Sequence, residues 1–149
     1  MDKTDTFTGN KSGLAVDGVI YGLVAGAAMF ASLMILAILS GDAPGVILTR
    51  FSGGGITSPF LGIFGHLGVS AIYGVLFGVL VWPLLSRTSS RIISAGFGGI
   101  LYAGFLILLA QFVILPGMNS SLIQFPFWQF ALGHVVYGLV LGSMFSRSA

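Results

Sequence analysis

The last apolar stretch of the chain, residues 125–142, reads FPFWQFALGHVVYGLVLG and nearly repeats an earlier one. Both copies run from a Pro-Phe pair through Gly-His to Tyr-Gly-x-x-x-Gly. The earlier copy begins at Pro59, places its histidine at His66 and ends at Gly78. His134 belongs to the later copy, and these two histidines are the only ones in the chain. Uncharged apolar stretches of this length are typical of helices that cross a bilayer.

The composition also places the chain in a membrane. Hydrophobic residues make up 56% of it and charged residues only 7%, whereas roughly a quarter of a soluble domain is charged. Six basic residues form no basic patch, so no nucleic-acid partner is expected. The chain has no cysteine, no glutamate and no Ser/His/Asp set, so we predict no catalytic site and no enzyme.

The hydrophobic pattern predicts four spans in a single transmembrane domain, residues 1–149. They cover about residues 18–39, 59–85, 93–115 and 127–145. Because lipid offers no hydrogen bonds to the backbone, and these runs are far longer than barrel strands, each span is predicted to be a helix. The fold class is therefore all-α, an integral membrane four-helix bundle.

Loop charges predict the orientation. One side of the membrane receives five basic residues: Lys3, Lys11, Arg87, Arg91 and Arg147. The other side receives only Arg50. Short cytoplasmic segments carry the excess of Lys and Arg, so both termini are predicted to lie in the cytoplasm.

The repeated phrase predicts internal symmetry. The first and second spans correspond to the third and fourth, and each pair begins on the same side. We therefore predict two parallel helical-hairpin repeats, related by a pseudo-twofold axis along the membrane normal.

Tyrosines and glycines mark the predicted contacts between helices. Each span has one tyrosine followed by a small residue: Tyr21, Tyr73, Tyr102 and Tyr137. Three of these continue as Gly-x-x-x-Gly: Gly22 with Gly26, Gly74 with Gly78, and Gly138 with Gly142. Glycines four apart let two helix backbones approach closely in lipid, so these faces are predicted to pack on helices of this chain or of another.

The histidines are the candidate site. Each lies seven residues into its span, which places both at a similar depth, roughly 10 Å below the outer face. One hypothesis is that His66 and His134 ligate a haem b iron together, or that each ligates a (bacterio)chlorophyll, with Arg50 meeting a haem propionate. No other metal site is predicted. In the simpler interpretation each imidazole bonds a backbone carbonyl, Ser70, Gln111 or Gln129 and fixes helix register. A proton or solute path is the third alternative.

With its repeated Gly-His and Tyr-Gly-x-x-x-Gly pattern, the chain resembles a loose group of uncharacterised small bacterial four-helix membrane proteins. In that group a phrase like LGHVVYG, residues 132–138 here, closes the chain. The resemblance implies the bacterial cytoplasmic membrane and carries no established activity.

These observations lead to an expectation about function. We expect a non-catalytic integral subunit of a larger membrane complex, of the respiratory or photosynthetic electron-transfer kind. Its partners would be the lipid bilayer and other membrane subunits or further copies of itself. The alternatives are a haem- or (bacterio)chlorophyll-binding membrane protein and a small transporter or channel.

Overall fold

A computed structural model describes residues 3–52, 58–87 and 90–148, with side chains from residue 11 to 147 apart from the gaps and Arg91. Five helices form the fold: α1 (Lys3–Leu39), the short α2 (Pro44–Thr49), α3 (Pro59–Leu76), α4 (Arg91–Leu109) and α5 (Phe127–Ser148). Beyond these bounds α3 continues through Phe77–Val81 and Trp82–Leu85, and α4 through Ala110–Ile114 and Leu115–Gly117. A 3₁₀ turn, Ser121–Gln124, precedes α5.

Four of these helices are long and apolar enough to cross a membrane: Lys11–Leu39, Pro59–Leu85, Ile92–Gly117 and Phe127–Arg147. The predicted all-α fold with four membrane helices is confirmed, and the chain is a multi-pass membrane protein. The side chains of Lys3 and Arg91, which count in the predicted orientation, lie outside the described side chains. The placement of the termini in the cytoplasm stays a prediction.

Two prolines explain why α3 and α4 change their winding. Phe77–Val81 and Ala110–Ile114 are π-helical turns, and each ends shortly before a proline, Pro83 or Pro116. A proline has no N–H and its ring collides with the carbonyl four residues earlier, which lies inside each π turn. A wider turn removes this collision and lets both helices continue.

The helices α1 and α4 end in the same way. After α1, Asp42 N–H donates to Ala37 O and Gly41 N–H to Ile38 O. After α4, Ser120 N–H donates to Leu115 O and Asn119 N–H to Pro116 O. These are Schellman ends, which require a left-handed residue. Gly41 has φ +93° and Asn119 has φ +49°, and glycine and asparagine adopt this conformation most easily.

The helices associate in two close pairs. Helix α1 packs against α3, α4 packs against α5, and α1 also packs against α5. In the first pair Gly74 lies against the carbonyl oxygen of Gly18, and in the second Gly138 lies against that of Gly99. At both contacts a glycine Cα faces bare backbone on the partner, so the helices approach more closely than side chains would allow. A twofold relation between the pairs stays a prediction.

The bundle has two ends that differ in packing. The terminal half contains the N-terminal part of α1, the last turns of α3 and the C-terminal part of α5. It is filled by an aromatic cluster: Tyr21, Phe77, Trp82, Tyr102 and Phe145, in successive ring contacts of 5.0–5.7 Å between centroids. The loop half contains α2, the segment before α5 and the adjoining helix ends. It holds a second aromatic group (Phe30, Phe51 and Phe125) and a cavity.

Candidate functional site

The cavity of the loop half lies between α3 and α4 and has a volume of about 180 Å³. Its walls are apolar for the most part, and α1 and α5 form its floor with Met29, Leu33 and Phe130. Val69 and Met118 line it as well and are exposed on the surface of the bundle. Its opening therefore lies between α3 and the C-terminal end of α4, beside these two side chains.

Small residues on both walls create this space. Gly65 of α3 and Ala110 of α4 both line the cavity, and neither residue has a side chain large enough to fill it. Gly62 also lines it, and the carbonyl oxygen of Phe51 occupies the position that a side chain of Gly62 would take. The gap closes at Tyr102, whose hydroxyl donates to the carbonyl oxygen of Tyr73 at 2.8 Å. Helices α3 and α4 are thus in contact in the terminal half and separated by the cavity in the loop half.

Both predicted histidines line this cavity, so the structure brings them together at one site. His66, on α3, places its Nε2 3.3 Å from the carbonyl oxygen of Gly26 on α1. Its ring also contacts Phe51 edge-on at 5.9 Å between centroids. The bond to Gly26 ties α3 to α1 beside the cavity.

His134, on α5, is buried and bonds within its own helix. Its Nδ1 lies 2.9 Å from the carbonyl oxygen of Phe130, one turn earlier, and the two rings are tilted at 4.3 Å between centroids. The interpretation that each imidazole bonds a backbone carbonyl therefore describes one nitrogen of each ring. This interpretation does not assign a hydrogen-bonding role to the second nitrogen of each ring.

The hydrogen bonds fix which ring nitrogen carries the proton. A carbonyl oxygen only accepts, so His66 Nε2 and His134 Nδ1 must both donate. In a neutral imidazole the second nitrogen is then an acceptor. Among the described side chains, the fully enclosed polar atoms without a partner are Arg50 Nε and Gln129 Oε1. His66 Nδ1 and His134 Nε2 are not enclosed in this way, which is consistent with acceptors that face the cavity.

Two tyrosine hydroxyls hold the floor and the closed end of the site. Tyr137, on α5, donates to the carbonyl oxygen of Ser70 on α3 at 2.7 Å. Tyr102, on α4, donates to α3 one turn further along. The Ser70 hydroxyl donates to the carbonyl of His66 at 2.8 Å. The two tyrosine hydroxyls therefore join helices through backbone carbonyls, and the Ser70 hydroxyl bonds within its own helix.

Arg50 lies beside the cavity but does not line it. Its guanidinium forms an ion pair with Asp42 at 2.7 Å and lies over the ring of Phe125, 4.9 Å from the centroid. This arrangement joins the segment after α1 to the segment before α5. The guanidinium is thus engaged in closing the loop half.

The remaining predicted residues lie at contacts between helices. A side chain added to Gly22 or Gly26 would meet Ser70, and one added to Gly78 would meet Leu14 and Phe145. Gly142 lies against the backbone of Ala95. Together with Gly74 and Gly138, all six glycines of the repeated phrase face a neighbouring helix of this chain. Tyr21 packs edge-on against Phe145 at 5.0 Å.

A macrocycle does not fit the cavity. An engineered cavity of about 150 Å³ holds a single benzene, and 180 Å³ is only slightly larger. A haem or (bacterio)chlorophyll has four linked pyrrole rings and needs a far larger slot. One nitrogen of each histidine already bonds a backbone carbonyl, and Arg50 bonds Asp42. The geometry thus gives no support to the haem or (bacterio)chlorophyll hypothesis.

Sequence reasoning did not anticipate the cavity, the aromatic cluster around Phe145 or the hydroxyl bonds of Tyr102 and Tyr137. The prolines were the available signal for the π turns. Gaps between helices leave no such mark, because they depend on which small residues face each other. Comparison of the chain with protein-family models, with curated proteins and with solved structures found no match.

Proposed function

We propose that this membrane protein binds a small lipid-soluble molecule in the cavity between α3 and α4, and that its role is binding and not catalysis. The observation that carries the proposal is an apolar cavity with two histidines in its wall, which opens beside the exposed Val69 of a membrane helix. Apolar pockets with a few convergent polar groups are the usual form of ligand sites. Ionisable side chains at membrane depth are costly and mark functional positions.

The size of the cavity limits the ligand to about one ring or a short branched chain. A space of about 180 Å³ lies below the usual range for drug-sized ligands, roughly 300–1,000 Å³. Its opening on the side surface lets a ligand enter from the bilayer without passing through water. The protein would then select a membrane-dissolved compound by shape and by the polar groups of the wall.

The two glycines Gly65 and Gly68 allow a matched test. Both lie on α3, and a Cβ added to either meets nothing within 4 Å, but only Gly65 lines the cavity. Fluorobenzene is titrated into the protein in lipid nanodiscs and followed by fluorine NMR, with empty nanodiscs as the baseline. Gly65→Leu is expected to weaken binding at least tenfold, and Gly68→Leu to leave it unchanged. No binding above the baseline to the wild-type chain would refute the proposal.

A second role, as a subunit of a larger membrane assembly, is favoured by the outward face of α4. Gly96 and Gly104 lie on this helix, and an added Cβ at either meets nothing within 4 Å. Small residues at a helix surface are the usual contact points of another membrane helix. That the assembly transfers respiratory or photosynthetic electrons stays a prediction from the sequence.

The assembly role is tested by the size of the complex that mild detergent extracts from native membranes. Gly104→Leu is expected to release the 15.5 kDa chain from a larger particle, and Gly68→Leu on α3 to leave the particle intact. A wild-type chain that migrates alone would exclude the assembly role.

The transporter or channel alternative receives no support from five polar side chains of the spans. Ser32 and Ser143 donate to carbonyls of their own helices, and Gln129 donates to Ser40. Tyr102 and Tyr137 donate to carbonyls of α3. A water-filled path needs polar groups that line an axis, and these groups are engaged elsewhere.

A further inference from the structure

We propose that the ligand is a hydroxylated aromatic ring, a phenol or a hydroquinone, whose hydroxyl group donates to His134 Nε2. This inference rests on the proposed function and adds the chemical class of the ligand. Its basis is the fixed protonation of His134: Nδ1 carries the hydrogen because it lies 2.9 Å from the carbonyl of Phe130. The neutral ring can then offer only an acceptor at Nε2.

An acceptor in an apolar cavity selects a ligand with a donor. A buried polar group without a partner destabilises the complex, so a ligand that supplies an O–H is favoured over one of the same shape without it. His66 supports the same choice, since its Nε2 lies 3.3 Å from the carbonyl oxygen of Gly26 and its Nδ1 is also an acceptor. A purely apolar ligand would leave both nitrogens unsatisfied.

The aromatic residues that line the cavity indicate that the hydroxyl group of the ligand is carried by an aromatic ring. The rings of Phe51, Phe130, Tyr73 and Tyr137 line the cavity, with the thioethers of Met29 and Met118. Aromatic rings pack favourably edge-on or offset, and thioether sulfur contacts ring edges. The volume of about 180 Å³ accommodates one substituted ring, by comparison with about 150 Å³ for benzene. A longer tail would leave through the opening between Val69 and Met118 into the bilayer.

Two probes of nearly the same shape distinguish the contribution of the hydroxyl donor to binding from that of the aromatic ring. In para-fluorophenol the oxygen carries a hydrogen, and in para-fluoroanisole a methyl group replaces it. Both are titrated into the full chain in lipid nanodiscs and followed by fluorine NMR, corrected for partition into empty nanodiscs. Because a hydrogen bond contributes about 0.5–1.5 kcal/mol net, the phenol is expected to bind about two- to tenfold more tightly.

The variant His134→Asn tests which atom selects the donor. The asparagine amide nitrogen takes a position close to that of Nδ1 and still donates to Phe130, but no atom replaces Nε2. We expect the preference for the phenol to fall to about onefold while para-fluoroanisole binds as before. A preference that survives in His134→Asn would overturn the assignment to His134.

A measurement on the wild-type chain keeps the inference testable even if the variant fails to fold. With nitrogen-15 in the histidine rings, Nε2 of His134 is expected to shift on addition of para-fluorophenol and to stay unchanged with para-fluoroanisole. Equal affinity for the two probes, with no nitrogen shift, would refute the hydroxyl ligand and leave the proposed function standing. If neither probe binds above the baseline, for instance because a lipid chain fills the cavity, the proposed function itself fails.

Discussion

The terminal half and the loop half of the bundle are built from the same four helices and are packed differently. In the terminal half, glycines bring backbones into contact, and Phe145 is fully buried among aromatic rings. In the loop half, Gly65 and Ala110 line a cavity of about 180 Å³. Small residues therefore have two opposite effects in this protein. At the backbone contacts they bring two helices together, and in the wall of the cavity they leave a site open.

Tyr102 lies at the boundary between the terminal half and the loop half. Its hydroxyl donates to α3 at Tyr73, its ring contacts Phe77 in the terminal half, and the cavity begins on its other side. The terminal half is thus closely packed, while the loop half contains the cavity. The same division between a rigid scaffold and a site is common where function needs incomplete packing.

The largest expected effect is that of a side chain placed in a backbone contact of the terminal half. In Gly138→Val the added Cβ would overlap the carbonyl oxygen of Gly99, and neither backbone has room to move. Ordinary overpacking costs about 1–3 kcal/mol, and this contact is more severe, so we expect the folded state to be lost in detergent. Gly68→Val on α3, where an added Cβ also meets nothing within 4 Å, is the control. Equal stability of the two variants would contradict the described α4–α5 contact.

The second largest effect on stability is expected when a side chain of the aromatic cluster is truncated. Phe145 is fully buried and contacts Tyr21, Phe77 and Trp82. Phe145→Ala is expected to reduce the free energy of unfolding by about 3–5 kcal/mol, as buried Phe-to-Ala changes do. The exposed Phe112, truncated to alanine in the same way, serves as the control. Unfolding by denaturing detergent, followed by circular dichroism, measures both.

The fold could be predicted largely from the sequence, and the site only in part. Long uncharged runs allow only one secondary structure in lipid, so the four helices followed from composition. His66 and His134 could be singled out, because polar groups at membrane depth are rare. The cavity could not be predicted, since it depends on which residues of α3 and α4 face each other. Nor could the tautomers, which depend on the carbonyls of Gly26 and Phe130.

Two Ala-to-Leu substitutions on α4 sharpen the comparison of the terminal half with the loop half, because their effects on stability should have opposite signs. Ala103 is fully buried against Gly138, so Ala103→Leu is expected to destabilise the protein by about 1–3 kcal/mol. Ala110, two turns later, lines the cavity, so Ala110→Leu fills space and is expected to stabilise it by about 0.5–2 kcal/mol. The same variant should weaken fluorobenzene binding. If both variants destabilise equally, the cavity is not an open space in the folded protein.

The smallest expected effect concerns the hydroxyl of Tyr137, at the floor of the cavity. Tyr137→Phe removes the bond to the carbonyl of Ser70 and keeps the ring. Side-chain hydrogen bonds between membrane helices contribute about 0.6 kcal/mol on average, and the Ser70 carbonyl lies in a helix whose own N–H groups still bond it. We expect a loss of about that size, measured by the same detergent unfolding. Tyr73→Phe, whose hydroxyl forms no bond that joins helices among the described residues, is the control. A loss several times larger would mean that this one bond, and not the packing of both helices against α1, holds α3 beside α5.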